Sequence, residues 1–197
     1  MEARTKDSKF LIEEILSGNQ KAFQTFIETY QRLVSHVVFR MVPDEADRED
    51  LCQDIFLKIY KNLPEFKFNS KVSTWIARIA YNTCVNYLEK RKLPLFEDLS
   101  TERISLDNLS GTLVAPDEYA EERDISQRLK IEIEKLPVHF RTILTLFHLE
   151  SMSYHEIGDI MKLPEGTVKS YLFRARKSLK ERLLSQYQQE ELWHTGI

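Results

Sequence analysis

The chain has 197 residues, 42% of them hydrophobic, only five glycines and six prolines, and a net charge of −3. That leaves room for one or two cored domains and favours an all-α fold. No apolar run approaches a membrane span and the N-terminus lacks a signal peptide's apolar stretch, so a cytoplasmic protein is expected. Cys52 and Cys84 have no CxxC or metal-ligand spacing around them, which points to reduced thiols and no metal. The scattered histidines form no HExxH and there is no Gly-rich phosphate loop. With no nucleophile–base pair either, neither an enzyme nor a binder of a small-molecule substrate or cofactor is expected.

In chain order, Phe10 to Leu16 reads as a short amphipathic helix. Lys21 to Met41 is a longer one, with Phe23, Phe26, Ile27, Tyr30, Val34, Val37 and Val38 at helical spacing. Pro43-Asp44 ends it. Glu49 to Leu63 follows, with Leu51, Ile55, Phe56, Ile59 and Leu63 as its apolar stripe. Its start is acidic through Glu49, Asp50 and Asp54, which suits either the helix dipole or a basic protein partner. Pro64 to Ser73 reads as a loop carrying Phe66, Lys67, Phe68, Asn69 and Lys71. Thr74 to Lys92 is the next helix. Arg78, Asn82, Asn86 and Lys90 recur along it every four residues, opposite Ile76, Ile79, Ala80, Thr83 and Tyr87. Such a row of amides and cations beside loop aromatics can hold phosphates and meet exposed bases, or can be a solvated face. Asparagine is a poor helix former and would gain nothing on a merely solvated face.

Charge divides the chain further. Residues 1–93 carry 15 basic and 13 acidic side chains, residues 94–122 carry 1 and 8, and residues 123–184 carry 12 and 8. Two mildly basic modules thus flank an acidic, low-aromatic stretch that reads as a flexible linker. It could reach about 95 Å extended, or about 30 Å as a flexible coil. One chain could therefore hold two DNA sites some 17 base pairs apart, about 58 Å along the axis.

Residues 153–184 carry the sharpest signal. Ser153 and Glu156 fit a capping box, and Tyr154, Ile157, Ile160 and Met161 then recur at helical spacing. Lys162-Leu163-Pro164 stops that helix, and a second begins with Pro164 in or near its first turn. On the second helix Val168, Leu172, Ala175, Leu179 and Leu183 make one stripe. Ser170, Phe173, Arg174 and Lys177 lie opposite, with Lys169 and Arg176 on the flank. Helix, tight turn and basic-faced helix suit a DNA major groove. A solvated amphipathic helix is the plainer alternative, but it gives Phe173 no reason to sit on the polar face.

These segments together resemble the extracytoplasmic-function (group IV) sigma factors of bacterial RNA polymerase. GNQKAFQTFIETYQRLV, DREDLCQDIFLKIYKNLPEF and STWIARIAYNTCVNYLEKRK are similar to successive parts of sigma region 2. LPVHFRTILTLFHLESMSYHEIGDIMKLPEGTVKSYLFRARKSLKERL is similar to region 4. The resemblance implies two helical domains, region 2 over 1–93 and region 4 with its helix-turn-helix over 123–197, joined by the linker 94–122. It implies docking of Asp50, Leu51, Gln53, Asp54 and Phe56 on the β′ clamp helices of core RNA polymerase, with the β flap as a second contact. Phe66, Lys67, Phe68, Asn69, Lys71, Trp75, Arg78, Asn82, Thr83, Asn86 and Lys90 would handle the −10 promoter element, capturing unpaired bases. Lys169, Ser170, Phe173 and Arg174 would read the −35 element, with Thr167 and Lys177 on phosphates. Tyr171 stands where the family often has arginine, so altered backbone contact or packing is expected there. An anti-sigma factor, often membrane-anchored, is an implied partner that could hold the protein at the inner membrane. No regulatory extension is expected after EELWHTGI. A stand-alone helix-turn-helix regulator is the alternative, although it leaves the features of residues 50–92 idle.

Overall fold

Of the five left-handed residues among those described, three fix where a helix stops. Gly18 (φ +91°), Lys92 (φ +55°) and Lys162 (φ +56°) each follow a helix. In each case the next residue's N–H reaches back five residues, Asn19 to Glu14 O, Leu93 to Leu88 O and Leu163 to Gly158 O, at 2.9–3.1 Å. This is the Schellman closure, which satisfies carbonyls the helix end leaves orphaned. The computed structural model describes residues 2–95 and 128–194, with side chains from 8 to 95 and from 128 to 185. The acidic linker expected over 94–122 lies outside the described residues from 96 onward.

The N-terminal half holds α1 (Glu2–Leu16), α2 (Gln20–Met41), α3 (Glu45–Asn62), a single 3₁₀ turn (Leu63–Glu65) and α4 (Val72–Lys90). Asn19 caps α2 by accepting from the N–H groups of Lys21 and Ala22. Asp44 caps α3 through Ala46 N–H at 3.0 Å, which starts that helix four residues before the expected Glu49. The acidic start is partly spoken for: Tyr87 Oη donates to Asp47 at 2.6 Å and Arg91 pairs with both Asp47 and Asp44. Helix α1 also begins before the expected Phe10. Helix α4 begins at Val72 rather than Thr74 and stops at Lys90, because Lys92 forms the left-handed closure.

Helix α2 supplies much of the core through Phe26, Leu33, Val34, Val37, Val38 and Met41, all buried. Phe23, Ile27 and Tyr30 from the expected stripe are only half-buried. Helix α4 is covered on more than one side: Ile76, Ala77, Ala80, Tyr81, Thr83, Cys84 and Leu88 are all buried. A single-stripe amphipathic reading misses this, since α4 packs against α2 and α3 and also against the C-terminal half.

That half consists of α5 (128–134), α6 (Val138–His148), α7 (Tyr154–Met161) and α8 (Glu165–His194). Helix α6 is its apolar centre, burying Phe140, Ile143, Leu144 and Leu146, and α7 and α8 close over it. No strand occurs among the described residues. The two halves touch, α2 against α6 and α4 against α7. Where they meet, Met41, Leu88, Leu93, Leu136 and Val138 line an open cleft of about 230 Å³.

Candidate nucleic-acid interface

The helix-turn-helix is built as its sequence dictates at the first helix. Ser153 Oγ accepts from Glu156 N–H at 3.2 Å, and the Glu156 carboxylate accepts from Ser153 N–H at 2.9 Å. The capping box is therefore complete. The turn is made by Lys162 in the left-handed region, with proline following. Pro164 lies just before α8, its carbonyl accepting from Thr167 and Val168 N–H. The closure folds Leu163 back over Gly158, where a Cβ would stand 2.7 Å from Leu163 O. Glycine is required there by close approach of backbone.

Helix α8 separates its faces sharply. Val168, Leu172 and Ala175 are buried, while Phe173 is 69% exposed. Lys169, Ser170, Arg174 and Lys177 are exposed beside it, and Thr167 is half-buried at the helix start. Ser170 Oγ donates back to Gly166 O, Lys169 lies over the Tyr154 ring at 5.4 Å, and Lys177 pairs with Glu181. Tyr171 points the other way, packing on the rings of His139 and Phe140 at 5.1 and 5.8 Å. Its role is packing, which gives the departure from arginine a reason. His139 in turn hydrogen-bonds Leu95 O at 3.2 Å, tying α6 to the end of the N-terminal half. Arg176 lies over Phe147 and donates to His148 Nε2. Desolvation, helped by the Arg176 charge, pushes the His148 imidazolium's pKa down, so His148 remains a neutral acceptor.

In the N-terminal half the loop 66–71 and α4 form the second surface. Phe66 packs on Phe68 at 4.7 Å and on Trp75 at 4.8 Å, making a small aromatic group at the loop. Phe68 has φ +57° and is 38% exposed. A left-handed aromatic is uncommon and stores backbone strain of order 1–3 kcal/mol. Lys67, Asn69, Lys71, Asn86 and Lys90 are exposed, and Arg78 and Asn82 are partly so. Thr83 is 5% exposed and accepts from Lys58 Nζ at 3.3 Å. It is enclosed between α3 and α4 and shares no accessible face with Asn82 and Asn86. On α3, Asp50, Gln53 and Asp54 are exposed and Leu51 and Phe56 half-buried. Asp54 pairs with Lys58 at 2.8 Å. Leu57 and Tyr60, 58% and 49% exposed, extend this face and were missed. Their period placed them among polar neighbours, where no apolar stripe marks them.

One carboxylate joins both surfaces. Glu156 Oε1 receives Lys71 Nζ and Thr74 Oγ1, each at 3.0 Å, while Oε2 serves the capping box. Burial alone would raise its pKa. The hydrogen bonds from Ser153, Lys71 and Thr74 outweigh that and hold the carboxyl at about 2. Cys84 is buried, which pushes its thiol up to about 12, and burial also raises the half-buried Cys52 thiol. The described residues hold no cluster suited to a metal ion. No described helix is long and apolar enough to cross a membrane.

An all-α chain with a helix-turn-helix at one end and a polar, aromatic-flanked helix at the other defines a two-part DNA-directed factor. Residues 26–93 match the family model for sigma-70 region 2, and residues 124–179 that for sigma-70 region 4. The chain is 30% identical over 176 residues to the ECF RNA polymerase sigma factor SigW of Bacillus subtilis (strain 168), spanning 87% of this chain and 94% of that one. It is 34% identical over 177 residues to the ECF RNA polymerase sigma-E factor of Escherichia coli (strain K12), spanning 88% and 92%. Its fold is similar to that of the sigma factor RpoE of Bartonella quintana, solved with the anti-sigma factor NepR. That likeness has a TM-score of 0.61 at 21% identity and covers 83% of this chain and 97% of that one. The chain belongs to the ECF family of RNA polymerase sigma factors. It is thus a non-enzymatic initiation factor that gives RNA polymerase its promoter specificity, rather than a stand-alone regulator.

Proposed function

We propose that the labour is divided between residues 1–93 and 123–197, with 94–122 as the tether. The α3 face of Asp50, Leu51, Gln53, Asp54 and Phe56 docks on the β′ clamp helices of core polymerase, and region 4 meets the β flap. The 66–71 loop, Trp75 and the exposed part of α4, including Asn82 and Asn86, capture bases of the −10 element as the duplex opens. Lys169, Ser170, Phe173 and Arg174 read the −35 element in the major groove, with Thr167 and Lys177 on phosphates. The protein acts in the cytoplasm, where core polymerase is. An anti-sigma factor, the kind of partner bound to the Bartonella quintana relative, restrains it, at the inner membrane where that factor is anchored.

The observation that carries this reading is the polarity of α8, which buries Leu172 and leaves its neighbour Phe173 69% exposed amid cations. Captured bases offset the few kcal/mol that unstacking costs. The test is reconstitution with core polymerase. Asn82→Ala with Asn86→Ala should abolish open-complex permanganate reactivity while leaving polymerase binding intact; unchanged melting would remove α4 from the mechanism. Arg174→Ala should cost about 1–3 kcal/mol at the cognate −35 sequence if it contacts a base edge. An equal loss on every sequence would make it a phosphate contact instead.

A further inference from the structure

One flank of the recognition helix α8 is backed by stacked aromatic rings. Phe147, near the end of α6, and Tyr154, the first residue of α7, lie almost parallel, with centroids 5.3 Å apart and planes 11° apart. Each ring carries a cation from α8. Arg176 lies over Phe147 at 5.0 Å and Lys169 over Tyr154 at 5.4 Å. At 100° per residue, Lys169 and Arg176 fall about 40° and 60° to one side of Phe173. Ser170 and Lys177 fall about 60° and 40° to its other side, with Arg174 beyond them.

We propose that Phe147 and Tyr154 are positioning residues for the −35 contact. The ring pair holds Lys169 in place for the contact already assigned to it. It also makes Arg176 a further contact, to a phosphate of the DNA backbone beside the groove. This rests on the −35 assignment above and adds the two rings and Arg176 to it.

Three features support it. Among the described residues neither Lys169 nor Arg176 forms an ion pair, whereas Lys177 on the other flank meets Glu181 at 3.8 Å. A ring face and a neutral imidazole order a cation without neutralising it, so both charges stay available to an anion. Next, Arg176 Nε and Nη2 both point at His148 Nε2, each at 3.2 Å. His148 is held neutral there and accepts rather than repels. A guanidinium carries five N–H donors in one plane; with two engaged at His148, three remain for phosphate oxygens while ring and imidazole fix the plane. Finally, the rings lie where a backbone passes. The first helix of a docked helix-turn-helix crosses the DNA backbone, and Tyr154 begins that helix in this chain. Two long side chains ordered in advance lose less freedom when DNA arrives.

The test is a double-mutant cycle in the full-length protein assembled with core polymerase. Fluorescence anisotropy follows binding, over a range of salt, to a labelled duplex carrying the −35 sequence that the wild-type holoenzyme selects from a random pool. Circular dichroism verifies each fold. Arg176→Met keeps an apolar stem over Phe147 and removes the charge. It should weaken binding about tenfold at low salt, on cognate and scrambled −35 sequences alike, and lower the salt slope by about 1. Phe147→Leu should weaken binding about two- to fivefold in the wild-type background. With Arg176→Met already present it should cost less than about 1.5-fold, because the ring acts through that cation. Phe147→Tyr keeps the ring and should bind as wild type does. The parallel cycle, Tyr154→Leu with Lys169→Met, should show the same coupling, with Tyr154→Phe as its conservative variant. Equal losses from a ring variant in both backgrounds would reduce that ring to packing and overturn its positioning role. An unchanged slope with Arg176→Met would overturn the phosphate contact. Phe173→Ala isolates the reading beneath. If it weakens binding while Arg176→Met does not, only the Arg176 contact falls; if neither changes binding, the −35 assignment falls with it.

Discussion

Helices α4 and α8 carry the two surfaces assigned to DNA, and the fold sets them differently. Helix α8 lies at the edge of its half, with Val168, Leu172 and Ala175 sealed against α6 and α7 and Phe173 standing out in solvent. Helix α4 is enclosed by α2, α3 and α7, and two of its region's cations end on α7 carboxylates. A duplex reader needs only to be presented. The α4 surface is instead partly covered where α7 packs on it, with Asn86 and Lys90 left exposed further along the helix.

The contrast within α8 gives the largest expected effect. Leu172→Ala should cost about 2–5 kcal/mol in the unfolding of the C-terminal half, because its methyls leave a closed site. Its neighbour Phe173→Ala should change stability by no more than about 0.5 kcal/mol while sharply lowering promoter-specific transcription. Urea melts and run-off assays on the same two proteins check this, and a large stability loss at Phe173 would break the contrast. Next comes the turn. Gly158→Ala should destabilise by about 1–3 kcal/mol, since the new Cβ meets the Leu163 carbonyl. Gly166→Ala has open space around it and should gain about 0.4–1 kcal/mol by restricting the unfolded chain. Removing the cap with Ser153→Ala should cost about 1 kcal/mol in the same melts.

A further contrast is one of pH. The Glu156 carboxyl sits at about 2 in the folded chain against an ordinary 4.5. Its contribution to stability is therefore complete above about pH 4.5 and is lost as pH falls towards 2. The stability difference between wild type and Glu156→Gln should shrink over that window, as denaturant titrations at stepped pH would reveal. A difference that stayed constant would separate the carboxylate from the bonds assigned to it.

Much of this was legible in the sequence where the cause is local. The capping box at Ser153, the first half of the α8 stripe (Leu179 and Leu183 are only half-buried) and the loop aromatics all depend on spacings of a few residues. The helical period already set Thr83 opposite the polar row of α4, and only the family resemblance grouped it with the −10 residues; α3 and its Lys58 enclose it. Tyr171 could be flagged as unusual, but its partners His139 and Phe140 lie some thirty residues earlier in the chain. The ion pairs across the seam join side chains more than eighty residues apart, a distance over which charge patterning carries no register. Nor does net charge give the sign, because both halves carry more basic than acidic side chains.

The dual service of Glu156 carries a consequence for mutation and selection. One side chain starts α7 and also bonds across to Lys71 and Thr74, so most replacements at this codon damage a helix start and a contact between the halves together. Glutamine is the exception, and it lies a single first-position base change from either glutamate codon. A library of every substitution at residue 156, scored for folded protein, should therefore retain glutamine and lose most of the others.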